Sequence, residues 1–116
     1  MYDESELLED IRHIRHQPNM WMRRGTFDDT CALIHGMDIG TNGRLLDGFQ
    51  QWLAKQLNLS CDDIPWWNLS LMVTFQDEKF VPSNVLIPDE SQARTALIDQ
   101  VEKFLLERKN RVMELN

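Results

Sequence analysis

The stretch Ile11-Arg12-His13-Ile14-Arg15-His16-Gln17-Pro18-Asn19-Met20-Trp21 decides the fold class. Its first half closes an amphipathic helix. Leu7, Leu8, Ile11 and Ile14 recur at spacings of three and four, the period of a single helical face. Glu4, Glu6 and Glu9 lie toward the start, and Arg12, His13, Arg15 and His16 toward the end. Those signs complement the helix macrodipole. Pro18 then stops the helix, because it excludes helical continuation and biases Gln17 toward extended backbone. The spacing predicts a first helix from Asp3 or Glu4 to Arg15. Beyond the stop, Met20, Trp21 and Met22 read as a core plug, since thioethers fill irregular gaps and an indole buries much area. Trp21 is expected to fold over the first helices.

Downstream, helical signals continue. Thr26-Phe27-Asp28-Asp29 has the shape of a capping box, with Asp in place of the usual Glu. Phe27, Thr30, Ile34 and Met37 mark the buried face of a second helix ending near Gly40, with Cys31 and Leu33 beside it. Gly36 inside that pattern costs about 1 kcal/mol against alanine, so it predicts a close crossing by another helix. A third helix is expected over about Leu45 to Asn58, with Leu46, Phe49, Leu53 and Leu57 repeating, Trp52 widening the stripe and Gly48 at a second crossing. The Asn42-Gly43 turn would make helices two and three an antiparallel pair. Trp66 to Phe75 fits a helix through Trp67, Leu71 and Phe75. It fits a strand equally well through Trp67, Leu69, Leu71, Val73 and Phe75. Helix is preferred because Ser60-Cys61-Asp62-Asp63 is a start signal and Pro65 is tolerated in a first turn. Residues 80–87 read as a short strand or extended segment. A last helix from about Asp89 to Met113 carries Ala93, Leu97, Val101, Phe104, Leu105 and Val112. The reading is one mainly α domain over residues 1–116, a bundle of about five helices.

The totals support one domain. A chain of 116 residues hides roughly two-thirds of its unfolded surface, enough for a real core. Nineteen acids against twelve Lys and Arg give a formal charge of -7. That surface repels phosphate, so direct nucleic-acid or anionic-membrane binding is disfavoured and a basic protein partner is favoured. No apolar run reaches the length of a membrane span. Met1-Tyr2-Asp3-Glu4 is acidic where a signal peptide is basic. Two cysteines without a CxxC unit suit a reducing compartment, and the expected address is the cytoplasm.

Few residues suggest chemistry. Cys31 and His35 stand one helical turn apart, and His13 and His16 sit at i,i+3. If all four converged they would suit zinc, although the sequence shows no convergence. Cys31 with His35 could equally be a nucleophile pair, but no orienting acid or oxyanion donor is assignable. Asp28-Asp29 and Asp62-Asp63 fall where helix starts favour negative charge, so they read as capping acids. Asp77-Glu78 lies in a loop and is free for contact. Arg12, Arg15, Arg23 and Arg24 form a basic cluster that pairs with the chain's own acids or holds an anion. Trp66 and Trp67 cannot face one way, so one is exposed and suited to an interface. Asp62, Asp63, Trp66, Asp77 and Glu78 are the expected partner contacts. No catalytic residue and no cofactor is assigned.

The order of these features resembles a family of small bacterial proteins, many of them taken to be immunity proteins of polymorphic toxin systems. Members carry an R-P-x-M-Y element after the first helix, then F-x-x-G, F-x-x-W and a tryptophan before an apolar run. Pro18, Met20, Gly36, Phe49, Trp52 and Trp67 match. Trp21 stands for the tyrosine, Gln17 for the arginine and Ile34 for the phenylalanine before Gly36. The likeness covers about Leu7 to Phe75. It implies a stoichiometric neutraliser of a cognate bacterial toxin domain, with Pro18, Met20, Trp21, Gly36, Phe49, Trp52 and Trp67 serving the scaffold. The alternatives are a non-catalytic adaptor domain, forming a homodimer, and a metal-dependent or cysteine enzyme using Cys31 and His35.

Overall fold

A computed structural model describes residues 3–60, 63–76 and 86–115. Its elements in chain order are α1 (Glu4–His16), a 3-10 turn (Pro18–Met20), α2 (Phe27–Gly40), α3 (Phe49–Gln56), α4 (Trp66–Thr74) and α5 (Glu90–Leu115). Five helices form a compact bundle, and no β-strand occurs among the described residues. The ambiguous segment around Trp67 to Phe75 is therefore helix. Most of the segment expected to be extended, 80–85, lies outside the described residues.

The long α5 is the hub, packed against α1, α2, α3 and α4. Its stripe of Ala93, Leu97, Ile98, Val101, Phe104 and Leu105 is buried against Leu7, Leu8, Ile11 and Ile14 of α1 and the apolar faces of the other helices. The α3 helix packs on α4, so the expected hairpin of helices two and three is replaced by contacts of α2 with α5. Side-chain caps fix the starts: Asp3 accepts from the Glu6 amide at 3.0 Å, Thr26 from Asp29 at 3.1 Å and Asp89 from Gln92 at 3.0 Å. The amide of Phe27 is satisfied from a distance, donating to Glu90 at 2.8 Å. By contrast α4 starts after Pro65 with no side-chain cap.

Four expectations are corrected. The third helix begins at Phe49, four residues late, because Gly48 has φ +89°, a left-handed conformation that ends any helical ladder through it. The same φ, rather than a helix crossing, accounts for glycine there. The loop ahead of Gly48 is held by Asp38, which accepts from the Leu46 amide at 2.9 Å, and by Arg108 on its carbonyls. At Gly36 nothing among the described residues lies within 4 Å of where a Cβ would stand, so no described helix crosses there, and the structure gives no reason for glycine. Finally, the plug is Met22 and not Trp21. Met22 is buried, whereas Met20 is 73% and Trp21 37% exposed. The 3-10 turn after Pro18 places Met22 inward, and the Trp21 indole lies over α1, donating to His13 Nδ1 at 2.9 Å.

Charge pairs tie α1 to α5. Arg12 meets Glu102 at 2.8 Å, and Arg15 bridges Asp99 and Glu102. Burial pushes the Glu102 carboxyl up, but hydrogen bonds and charge from Arg12 and Arg15 outweigh that and hold it below the usual carboxylate range. A depressed carboxylate contributes stability above its unfolded pKa and loses it as the solution is acidified. The stability gap between wild type and Glu102→Gln should therefore be full at neutral pH and shrink as the pH falls below about 5, measured by urea unfolding across the acid range.

Candidate functional site

A cleft of about 320 Å3 opens between α2 and the start of α4, lined by Phe27, Asp28, Cys31, Ala32, His35, Trp66 and Trp67. Helical spacing explains one wall: Phe27, Cys31 and His35 are successive at four residues, and Asp28 and Ala32 lie beside them. The other wall is the adjacent indole pair of α4, with ring centroids 5.5 Å apart and planes at 78°. Trp66 is half-buried and also packs on Phe49 at 6.0 Å, while Trp67 is 43% exposed. Of the two, Trp67, expected to serve the scaffold, is the more exposed, while Trp66, expected as a partner contact, lines the same cleft. A side chain turns about 100° with each helical residue, so only one of the two can lean onto Phe49.

Cys31 and His35 do share this cleft. Burial pushes the Cys31 thiol up to about 12, with the charges of Asp28 and Glu90 adding to the shift. A thiol so protonated is a poor nucleophile, because the thiolate is the reactive form. Alkylation of Cys31 by iodoacetamide should be at least ~100-fold slower at pH 8 than that of an ordinary cysteine of pKa near 8.5. The measurement uses a Cys61→Ser background and mass spectrometry; a rate like that of free cysteine contradicts the assignment. His13 and His16 do not join the cleft. His13 faces Trp21, His16 is exposed on α1, and no group of three or more His, Cys, Asp or Glu gathers for a metal among the described residues.

Of the other expected contacts, Asp63 is exposed, while Asp62, Asp77 and Glu78 lie outside the described residues. Arg12 and Arg15 of the basic cluster are taken by Glu102 and Asp99, which leaves Arg23 and Arg24 exposed beyond the turn. Phe49 and Trp52 serve the core as expected: Phe49 is fully buried, stacks on Trp52 at 6.0 Å and meets Phe104 at 5.3 Å. The Trp52 indole donates to Glu107. Sequence reading missed Asp28 as a cleft residue. Its place in the first turn of α2 suggested capping, yet Thr26 caps that turn and Asp28 stands exposed at the cleft. Its i,i+3 relation to Cys31 was the available signal.

No helix among the described residues is long and apolar enough to cross a membrane. No family model matches the chain, no curated protein is similar to it, and no solved structure matches it.

Proposed function

We propose that this chain is an immunity protein, a stoichiometric neutraliser that acts in the cytoplasm by binding a cognate bacterial toxin domain. The observation that carries the reading is Trp67, a large aromatic left 43% exposed at the rim of an apolar cleft. Its place beside a second indole in a cleft distinguishes it from the other exposed apolar side chains, and tryptophan is enriched among residues that dominate binding energy. The formal charge of -7 supports a basic partner, whose encounter it would accelerate. The order of the Pro18-Met20-Trp21, Phe49-Trp52 and Trp67 elements supports the neutraliser class. The high Cys31 pKa of about 12 weighs against a thiolate enzyme.

Co-expression tests the reading. Cells making the toxin domain encoded beside this chain should recover growth when the chain is supplied, and should not recover with an unrelated acidic helical protein. Persistent killing despite comparable expression contradicts it. The second reading, a homodimeric adaptor, draws on the same exposed Trp67, since a second copy could cover it. Light scattering separates the two: a monomer is expected for a neutraliser, and a dimer that dissociates on Trp67→Ala favours the adaptor.

A further inference from the structure

We propose that the cleft between α2 and α4 is a cation-recognition pocket that takes one guanidinium or ammonium side chain of a basic protein partner against the Trp66–Trp67 pair. The inference rests on the neutraliser reading for the partner's identity and deepens it by naming the anchor chemistry. Two indoles at 78° line a single cleft and present nearly perpendicular rings to it. An organic cation is attracted to such rings by their quadrupoles, most strongly to tryptophan and when water is excluded. Trp66 is braced by Phe49 at 6.0 Å, so this wall is formed before any ligand arrives.

Charge in and around the cleft has the matching sign. Asp28 is exposed at its edge and forms no ion pair among the described residues. Among the described residues no Lys or Arg lines the cleft, and His35 is the one basic side-chain type there. Burial pushes the Cys31 thiol up, and the charges of Asp28 and Glu90 add to that push. An apolar side chain would fill the volume equally well but would gain nothing from Asp28 or from the indole quadrupoles. A cation with an alkyl stem satisfies both parts, its stem on Phe27 and Ala32 and its charge between indole and carboxylate. Arginine suits the site better than lysine, because its planar, weakly hydrated head both stacks on rings and forks onto a carboxylate.

The test uses the full chain at pH 8 and follows the four tryptophan indole N–H signals by two-dimensional NMR, assigned with single Trp→Phe variants. The probe is N-acetyl-arginine methylamide, and the control is its neutral citrulline counterpart. Saturable shifts of the Trp66 and Trp67 signals with the arginine probe alone are expected, with Trp21 and Trp52 unmoved. Asp28→Asn should weaken the response several-fold, and Trp67→Ala should abolish that of Trp66. Equal shifts with the citrulline compound, or no saturable shift, overturn the proposal. A parallel calorimetric titration with the toxin domain separates the two readings. Trp67→Ala is expected to weaken toxin binding by about 30-fold. Unchanged affinity overturns the pocket while the neutraliser reading stands. A toxin that binds neither protein ends the neutraliser reading, and the arginine titration then decides the pocket alone.

Discussion

Arg108→Ala is expected to lower the free energy of unfolding by about 3 kcal/mol. One guanidinium does several jobs at once. It holds Glu4 by two bonds, at 2.9 and 3.0 Å, and donates to the carbonyls of Arg44, Leu45 and Asp47 at 2.8, 3.2 and 3.1 Å. Its carbon also lies 5.0 Å from the Phe104 ring centroid. The pair is largely shielded, with the Arg108 and Glu4 side chains 16% and 21% exposed. Removing the cation leaves Glu4 partly desolvated without a partner and frees a loop that has no helical ladder of its own. Arg12→Ala provides the contrast, because Arg12 is 47% exposed in its pair with Glu102 and should cost no more than about 1 kcal/mol. Arg108→Lys should recover only part of the loss, since an ammonium cannot reproduce the fork. Urea unfolding monitored by tryptophan fluorescence measures all three. Equal costs for Arg108→Ala and Arg12→Ala would refute the clamp.

The second large effect belongs to Phe104→Ala, which is expected to cost about 3–5 kcal/mol. Phe104 is 1% exposed and meets Phe49 at 5.3 Å and Trp52 at 5.9 Å. Its ring also comes 3.7 Å from where a Cβ on Gly48 would stand, so it supports the turn that starts α3. Truncation removes ring contacts and leaves a cavity that helices held by α5 cannot readily close. Domains of this size are stable by only about 5–15 kcal/mol, so the variant should be close to unfolding at body temperature. Phe104→Leu, which keeps most of the volume, should cost roughly half as much. Thermal unfolding by circular dichroism checks the order; an alanine variant melting with wild type contradicts the hub role.

Phe104 shows where sequence reading succeeds and Arg108 where it does not. The stripes of α1 and α5 are long, regular and bounded by Asp3, Pro18 and Asp89, so their faces and ends were legible within about two residues. The first turn of α2 was legible for the same reason, through Thr26. What failed depended on partners distant in the chain. The backbone over 44–47 fits a helical stripe, but its carbonyls are taken by Arg108, more than 60 positions away. Gly48 looked like a crossing site because nothing local reveals a positive φ. The methionine-tryptophan plug failed through one step of rotation: the turn after Pro18 buries Met22 and carries Trp21 onto His13. That one of Trp66 and Trp67 is exposed was legible, but the choice between the adjacent indoles is made by Phe49 on another helix.

The candidate site was legible in part. Cys31 and His35 were placed on one helical face by their spacing, and they do line one cleft. The other wall comes from α4, which packs on α3 and α5, so only tertiary packing brings Trp66 and Trp67 to the cleft. Asp28 was read as a cap because its position satisfies that role without any neighbour. Its place at the cleft edge is visible only once the start of α4 faces it across the cleft.

Calorimetric titration of the purified chain into the toxin domain encoded beside it tests the central claim most directly. A one-to-one complex that forms tightly, and more tightly at low salt than at high salt, is the predicted result. Absence of binding heat at two temperatures, with both proteins shown to be folded, would contradict it.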